Sequence, residues 1–179
     1  MDIVDAIKAE HDRIEEMLEQ LDDLAGNGPT LETVELAADL VARLRAHAMA
    51  ERDVLYQACI RRGGALRELA QRAGLEHDAL DAVLMRLRML HPGGDGEMKA
   101  AVGVVRDLVS RHARDEEEAL LLPKVAAGFP HAERLAMGEA FAAMEERALE
   151  ARAEVHVGEP LSRATLATGP GLNDGEILP

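Results

Sequence analysis

Two stretches of the sequence carry a histidine followed four residues later by a glutamate, on the apolar side of a helical pattern. They are HAMAERDVLYQ, which contains His47 and Glu51, and HARDEEEALLLP, which contains His112 and Glu116. A carboxylate in an apolar core is unfavourable unless it is paired or binds a metal. No Lys or Arg lies on these apolar faces near the two pairs. The residue types therefore favour a metal ion as the counter-charge.

The segments that carry these pairs have helical patterns. Turn-forming clusters at 25–30, 61–64, 91–96 and 128–130 separate four segments with helical apolar spacing. Short connections predict an all-α, antiparallel up-down-up-down four-helix bundle. A fifth helix over about 131–153 should pack outside it. The predicted units are a bundle over 1–127, an accessory C-terminal helix over 128–157 and a Gly/Pro-rich tail over 158–179, extended or partly ordered.

Each predicted bundle helix has one histidine on its apolar face: His11, His47, His77 and His112. At a rise of ~1.5 Å per residue, His11 lies ~21 Å before the first turn and His47 ~25 Å after it. Comparable distances flank the second and third turns. Residues equally far from a shared turn lie at equal height in an antiparallel bundle, so four imidazoles and two carboxylates should meet in one slice of the core.

Four imidazoles and two carboxylates suit iron, manganese or zinc and do not suit calcium. Six ligands exceed what one tetrahedral zinc takes and fit two metals bridged by the carboxylates, which in bundle cores are usually di-iron or di-manganese. Two alternatives stay open: a metal-free polar network and a structural zinc site. Tyr56, Asp81 and Glu15 lie about one turn from these positions. Each either adds to the site, as a ligand or by orienting a histidine, or lies at the surface.

Composition narrows the class of protein. The chain has 179 residues and a formal charge of −14, which argues against nucleic-acid and anionic-membrane partners. The single Cys59 excludes an internal disulfide framework, and no apolar run approaches the roughly 20 residues of a membrane span. We expect a soluble cytoplasmic protein with no nucleic-acid or membrane partner, in which the tail is available to a protein partner.

The order His, His-x-x-x-Glu, His, His-x-x-x-Glu over about residues 1–125 resembles the hemerythrin-like (HHE cation-binding) family. The flanking stretches EHDRIEEML, HAMAERDVLY, EHDAL and HARDEEEALLLP agree with it, and the motif is most similar to that of mycobacterial hemerythrin-like proteins. The resemblance implies a non-haem di-iron centre, two oxo- or hydroxo-bridged iron ions, in a hemerythrin-like bundle. The implied ligands are His11, His47, Glu51, His77, His112 and Glu116.

Members of this family variously carry or sense oxygen, handle iron, or act on peroxide and nitric oxide. Oxygen carriers have a second histidine four residues after the third-helix one, where this chain has Asp81, and a longer-spaced aspartate on the fourth helix, where it has Glu116. The missing imidazole predicts a more open metal pair. Its expected ligands are hydrogen peroxide first, nitric oxide next and dioxygen after, in a catalase- or peroxidase-like oxidoreductase. The alternative is a non-enzymatic oxygen or iron sensor, storage or carrier protein.

Overall fold

Five helices pack as a bundle in the computed structural model, which describes residues 1–26, 29–89 and 97–158, with side chains up to residue 151. No strand occurs among these residues. The helices are α1 (Ile3–Ala25), α2 over 31–62, α3 (Gly64–Arg88), α4 over 98–128 and α5 (His131–Gly158). The predicted all-α bundle is therefore confirmed. The turn at 91–96 and the tail from residue 159 lie outside the described residues.

Two helices change their hydrogen-bond pattern part-way. Helix α2 consists of α-helical Leu31–Ala50, π-helical Glu51–Tyr56 and α-helical Gln57–Arg62. Helix α4 consists of α-helical Met98–Ser110, π-helical Arg111–Leu121 and α-helical Leu122–Gly128. A π-helix closes with i→i+5 bonds, so it changes which side chains share a face. The 3.6-residue period does not hold in these two segments.

Local signals in the sequence determine where α1 begins and how α2 turns back into α3. The Asp2 side chain accepts a hydrogen bond from the Val4 amide at 3.0 Å and caps α1. Gly63 and Gly64 have φ angles of 83° and 56°, in the left-handed region that favours glycine. Helix α2 therefore reverses directly into α3, with a single residue between them.

Buried apolar side chains form two clusters, one on each side of the histidine level. One cluster includes Ile7 and Leu55, and the other includes Ile14 and Leu44. Along α1, His11 lies between Ile7 and Ile14. The other three bundle helices repeat this order. The prediction that the histidines share one slice of the core is confirmed.

Helix α5 packs along the outside of the bundle, against α1 and α2. Arg134 anchors its start, because the guanidinium donates to the carboxylate of Asp2 and to the carbonyl of Phe129, at 2.8 Å in each case. The helix runs to Gly158, a little past its predicted end. Among the described helices, none combines the length and apolar character that crossing a bilayer requires.

Candidate metal centre

Four imidazoles and two carboxylates converge where α1 to α4 meet in the interior. They belong to His11, His47, Glu51, His77, His112 and Glu117, each between 0% and 6% exposed. Their potential ligand atoms form two groups, and within each group the atoms lie within 4.8 Å of one another. The first group contains His11, His47, Glu51 and Glu117, and the second contains Glu51, His77 and His112. We call the six residues the cluster.

The first group presents four ligand atoms to one point. His11 Nε2 lies 3.3 Å from Glu117 Oε2 and 3.9 Å from Glu51 Oε1, and His47 Nε2 lies 3.2 Å from the same Glu51 oxygen. Within the described chain, these four atoms are buried and have no hydrogen-bond partner. Unsatisfied buried polar atoms are rare because they are unfavourable. A cation at their common point would satisfy all four, so the donor set fits a metal ion.

The second group faces the other oxygen of Glu51. His77 Nε2 lies 3.2 Å from Glu51 Oε2 and 2.9 Å from His112 Nε2. His112 Nε2 is in turn 3.8 Å from Glu117 Oε2. Glu51 therefore belongs to both groups, with one oxygen facing each, whereas Glu117 belongs to the first group. The mixed nitrogen and oxygen set suits iron, manganese or zinc.

No Lys or Arg pairs with the two carboxylates of the cluster in the described part of the chain. Among the described residues, the ion-pair partners of Glu51 and Glu117 are histidines. Burial opposes the charged form of Glu51, but His47 and His77 outweigh it and hold the pKa of that carboxyl well below its usual range. Burial likewise opposes the charged form of His47, yet the nearby carboxylates hold its pKa well above the usual value. A metal ion that binds there must displace a proton.

The fourth-helix acid in the cluster is Glu117, which corrects the expectation of Glu116. The Glu116 carboxylate instead pairs with Arg72 of α3. Because Arg111–Leu121 is π-helical, a residue five positions after His112 takes the place that one four positions later takes in an α-helix. The sequence offers three successive glutamates here and gives no sign of the altered period.

Tyr56 also reaches the cluster. Its hydroxyl donates to Glu117 Oε1 at 2.6 Å and lies 3.4 Å from both Glu51 Oε2 and His77 Nε2. Burial, followed by the charges of Glu117 and Glu51, raises the pKa of Tyr56 well above its usual value. Tyr56 is five residues after Glu51, across the π-helical Glu51–Tyr56 segment. The sequence left open whether Tyr56 lies at the site or at the surface. The structure places it at the site, where its neutral hydroxyl donates a hydrogen bond.

Three of the four imidazoles have a carboxylate at Nδ1, the nitrogen on the far side from the cluster. These contacts are His11 with Glu118 at 3.0 Å, His47 with Glu145 at 3.3 Å and His112 with Glu76 at 2.9 Å. A carboxylate that accepts from Nδ1–H directs the Nε2 lone pair at the metal and makes the ring more basic. The Nδ1 atom of His77 has no partner among the described residues.

Glu15 and Asp81, the two carboxylates considered from sequence for this role, lie elsewhere. Glu15 accepts hydrogen bonds from Arg114 at 3.0 and 2.6 Å. Asp81 accepts one from Arg45 at 2.7 Å, and its side chain is half exposed. The carboxylates that do contact the rings come from neighbouring helices, so a search one turn along the same helix could not find them.

A cavity of about 10 Å³ lies beside the cluster, between α3 and α4. Its lining includes Glu117 of the cluster, the half-exposed Arg72, Ala73 and Leu121. This volume is at the lower limit for one water molecule. Anything larger than one water molecule enters only if the surrounding side chains move.

A comparison with family models matches the hemerythrin HHE cation-binding domain to residues 2–125. No curated protein and no solved structure matches the chain significantly. The matched span holds all six cluster residues and ends before α5. It covers well over half of the chain, and the buried His/Glu groups are those that a cation-binding domain requires. The chain therefore belongs to the hemerythrin HHE cation-binding family.

Proposed function

We propose that this protein holds two iron ions in the cluster and reacts there with a small ligand, hydrogen peroxide before nitric oxide or dioxygen. The proposed ligands are His11, His47, Glu51, His77, His112 and Glu117. When bound, the iron pair would supply the redox and Lewis-acid chemistry that side chains lack. The observation that carries the proposal is the convergence of four buried, unpartnered ligand atoms on one point.

The unequal sizes of the two groups support an open metal pair. The first group offers two imidazoles and two carboxylates, and the second offers two imidazoles and the shared Glu51. Asp81 stands where the oxygen carriers have a further histidine, and it is turned towards Arg45. The second metal would therefore have fewer protein ligands and more room for an external one. The likeness of the sequence motif to that of mycobacterial hemerythrin-like proteins is part of this proposal.

The presence of Glu117 in the cluster removes one of the two sequence differences that separated this chain from the oxygen carriers. With Glu117 in place of Glu116, the fourth-helix acid is also longer-spaced, and the difference there narrows to Glu in place of Asp. The preference for a reactive centre over a reversible carrier therefore depends on the third helix, which supplies His77 alone.

Peroxide is favoured by redox balance. Disproportionation of two hydrogen peroxide molecules needs no external reductant, because one is oxidised to dioxygen while the other is reduced to two waters. The neutral Tyr56 hydroxyl donates to Glu117 and lies 3.4 Å from His77 Nε2, so it holds a proton beside the second group, which has more room for an external ligand.

Elemental analysis and oxygen evolution test this function. We expect two irons per chain, a near-ultraviolet absorption of the ferric pair that Glu51→Ala abolishes, and one dioxygen released per two peroxides over many turnovers. Zinc-loaded protein is the matched control and should be inactive, because zinc fits the donors without redox chemistry. A single stoichiometric bleaching would indicate the alternative, a sensor, store or carrier. Purified protein that takes up no iron would refute the proposal.

A further inference from the structure

The fifth helix, α5, contacts the cluster although it lies outside the span that matches the family model. Glu145 Oε1 lies 3.3 Å from His47 Nδ1, the ring nitrogen that does not face Glu51. The fully buried Phe141 ring packs edge-on against the same imidazole, with ring centroids 5.6 Å apart. Two side chains of α5 thus contact the same candidate ligand, His47.

Close packing of α5 on the bundle brings these side chains to His47. Gly138, Phe141 and Glu145 follow one another at spacings of three and four, so they share one face of the helix. A Cβ at Gly138 would lie 2.1 Å from the carbonyl oxygen of Met1. Only glycine permits this approach, which lets the residues one and two turns later reach the bundle interior.

Glu145 has no other ionic contact in the described part of the chain, where its ion-pair partner is His47 alone. The carboxylates behind the other two rings are also held by arginines. The Glu145 side chain is only 15% exposed. Burying a carboxylate without Lys or Arg is unfavourable. The contact with His47 is therefore the favourable interaction that accounts for its position.

We propose that α5 is a working part of the metal centre, in which Glu145 is a positioning residue for His47 and Phe141 seals that side against water. This inference rests on the proposed function, since it concerns the same metal site. By accepting from Nδ1–H, Glu145 keeps the Nε2 lone pair directed at the metal and strengthens the ring as a ligand. It acts on the group that contains His47 and not on the group of His77 and His112.

The test is a titration of the metal-free protein with ferrous iron, without oxygen and in competition with a chromophoric chelator. The variants are Glu145→Ala and Glu145→Gln, with Glu146→Ala as the matched control at the neighbouring exposed position. We expect Glu145→Ala to lower the affinity for one of the two iron equivalents by about 10–100-fold. Glu145→Gln should lower it less, because its amide oxygen still accepts from Nδ1, and the control should match the wild type.

Thermal unfolding of the metal-free variants separates a positioning role from a structural one, because a positioning role lowers iron affinity by more than the loss of metal-free stability accounts for. Unchanged affinity in both Glu145 variants would overturn the proposal. A loss of affinity with an equal loss of metal-free stability would also overturn it. Should Glu145→Ala fail to fold, Glu145→Gln carries the same comparison. Wild-type protein that binds no iron would refute the proposed function as well. If the wild type binds two iron equivalents tightly and both Glu145 variants bind them equally well, only this inference is refuted.

Discussion

Helices α2 and α4 each bring a histidine and a glutamate to the centre, and they do so with different spacings. In α2, His47 and Glu51 are four residues apart, and the π-helical segment begins at Glu51. In α4, His112 and Glu117 are five apart, and both lie within the π-helical segment. The two pairs still reach the same buried slice. The local hydrogen-bond pattern, as much as the spacing in the sequence, decides which acid enters the centre.

The surroundings of the two pairs also differ. The ring of His47 is backed by a carboxylate from α5, which has no arginine partner among the described residues. The ring of His112 is backed by Glu76, which also pairs with Arg72 at the surface. We call His47 with Glu51 the α2 pair and His112 with Glu117 the α4 pair. The geometry of the α2 pair thus depends on helix packing, and that of the α4 pair depends in part on surface charge. Four substitutions test this contrast.

The largest effect is expected from Glu117→Ala, which removes one of the two carboxylates of the first group and the partner of the Tyr56 hydroxyl. Iron affinity should fall by more than the roughly 10–100-fold typical of residues that only contact a ligand. Glu116→Ala is the matched control and should keep both irons, because Glu116 pairs with Arg72 outside the cluster. Iron per chain after dialysis measures the difference. The opposite result, iron lost with Glu116→Ala and kept with Glu117→Ala, would show that the α4 pair has α-helical spacing.

The sequence alone could not decide between Glu116 and Glu117. Apolar periodicity and turn clusters were enough for the bundle and for the shared height of His11, His47, His77 and His112. They were also enough for Glu51, since the helix is still α-helical up to that residue. They failed at Glu116 because a period of 3.6 residues was assumed across a π-helical segment.

The carboxylates behind the rings were missed for a different reason. Glu118 contacts the ring of His11, and Glu145 that of His47, across helix boundaries. Contacts of this kind depend on the rotation of one helix against another, which apolar periodicity does not fix. Asp81 shows the same limit, because it lies four residues after His77 but extends to Arg45 of α2.

Gly138→Ala should disturb the α2 pair through α5. The added Cβ would meet the Met1 carbonyl oxygen at 2.1 Å, so α5 must shift. We expect the free energy of unfolding to fall by about 3 kcal/mol, the upper end for overpacking, and iron affinity to weaken in the group of His47. Gly103→Ala in α4 is the matched control, because a Cβ there meets nothing within 4 Å. Urea unfolding should show Gly103→Ala unchanged or slightly more stable. If the two variants behaved equally, the α2 pair would not depend on close packing of α5.

Tyr56→Phe breaks the hydrogen bond that links the two pairs directly. The Tyr56 hydroxyl on α2 donates to Glu117 on α4 at 2.6 Å, and both groups are buried. Without it, Glu117 Oε1 is left without that donor, which should lower the stability of the metal-free protein by about 1–3 kcal/mol. The loss should shrink after iron loading, because a metal at Oε2 then neutralises part of the carboxylate charge. Urea unfolding of both forms checks this, and an equal loss in the two would argue against Glu117 as a ligand.

Arg72→Ala should have the smallest effect, confined to the α4 pair. The Arg72 side chain is 57% exposed, so its pairs with Glu76 and Glu116 are screened by solvent and contribute about 0–1 kcal/mol. Loss of Arg72 still frees Glu76 behind His112, so iron affinity should fall a few-fold at low salt, and the difference from wild type should vanish at high salt. Arg52→Ala is the control, since Arg52 pairs only with Asp78 among the described residues, at the exposed surface. A salt-independent loss would show that Arg72 acts through packing, and the α4 pair would then resemble the α2 pair more than its surface charges indicate.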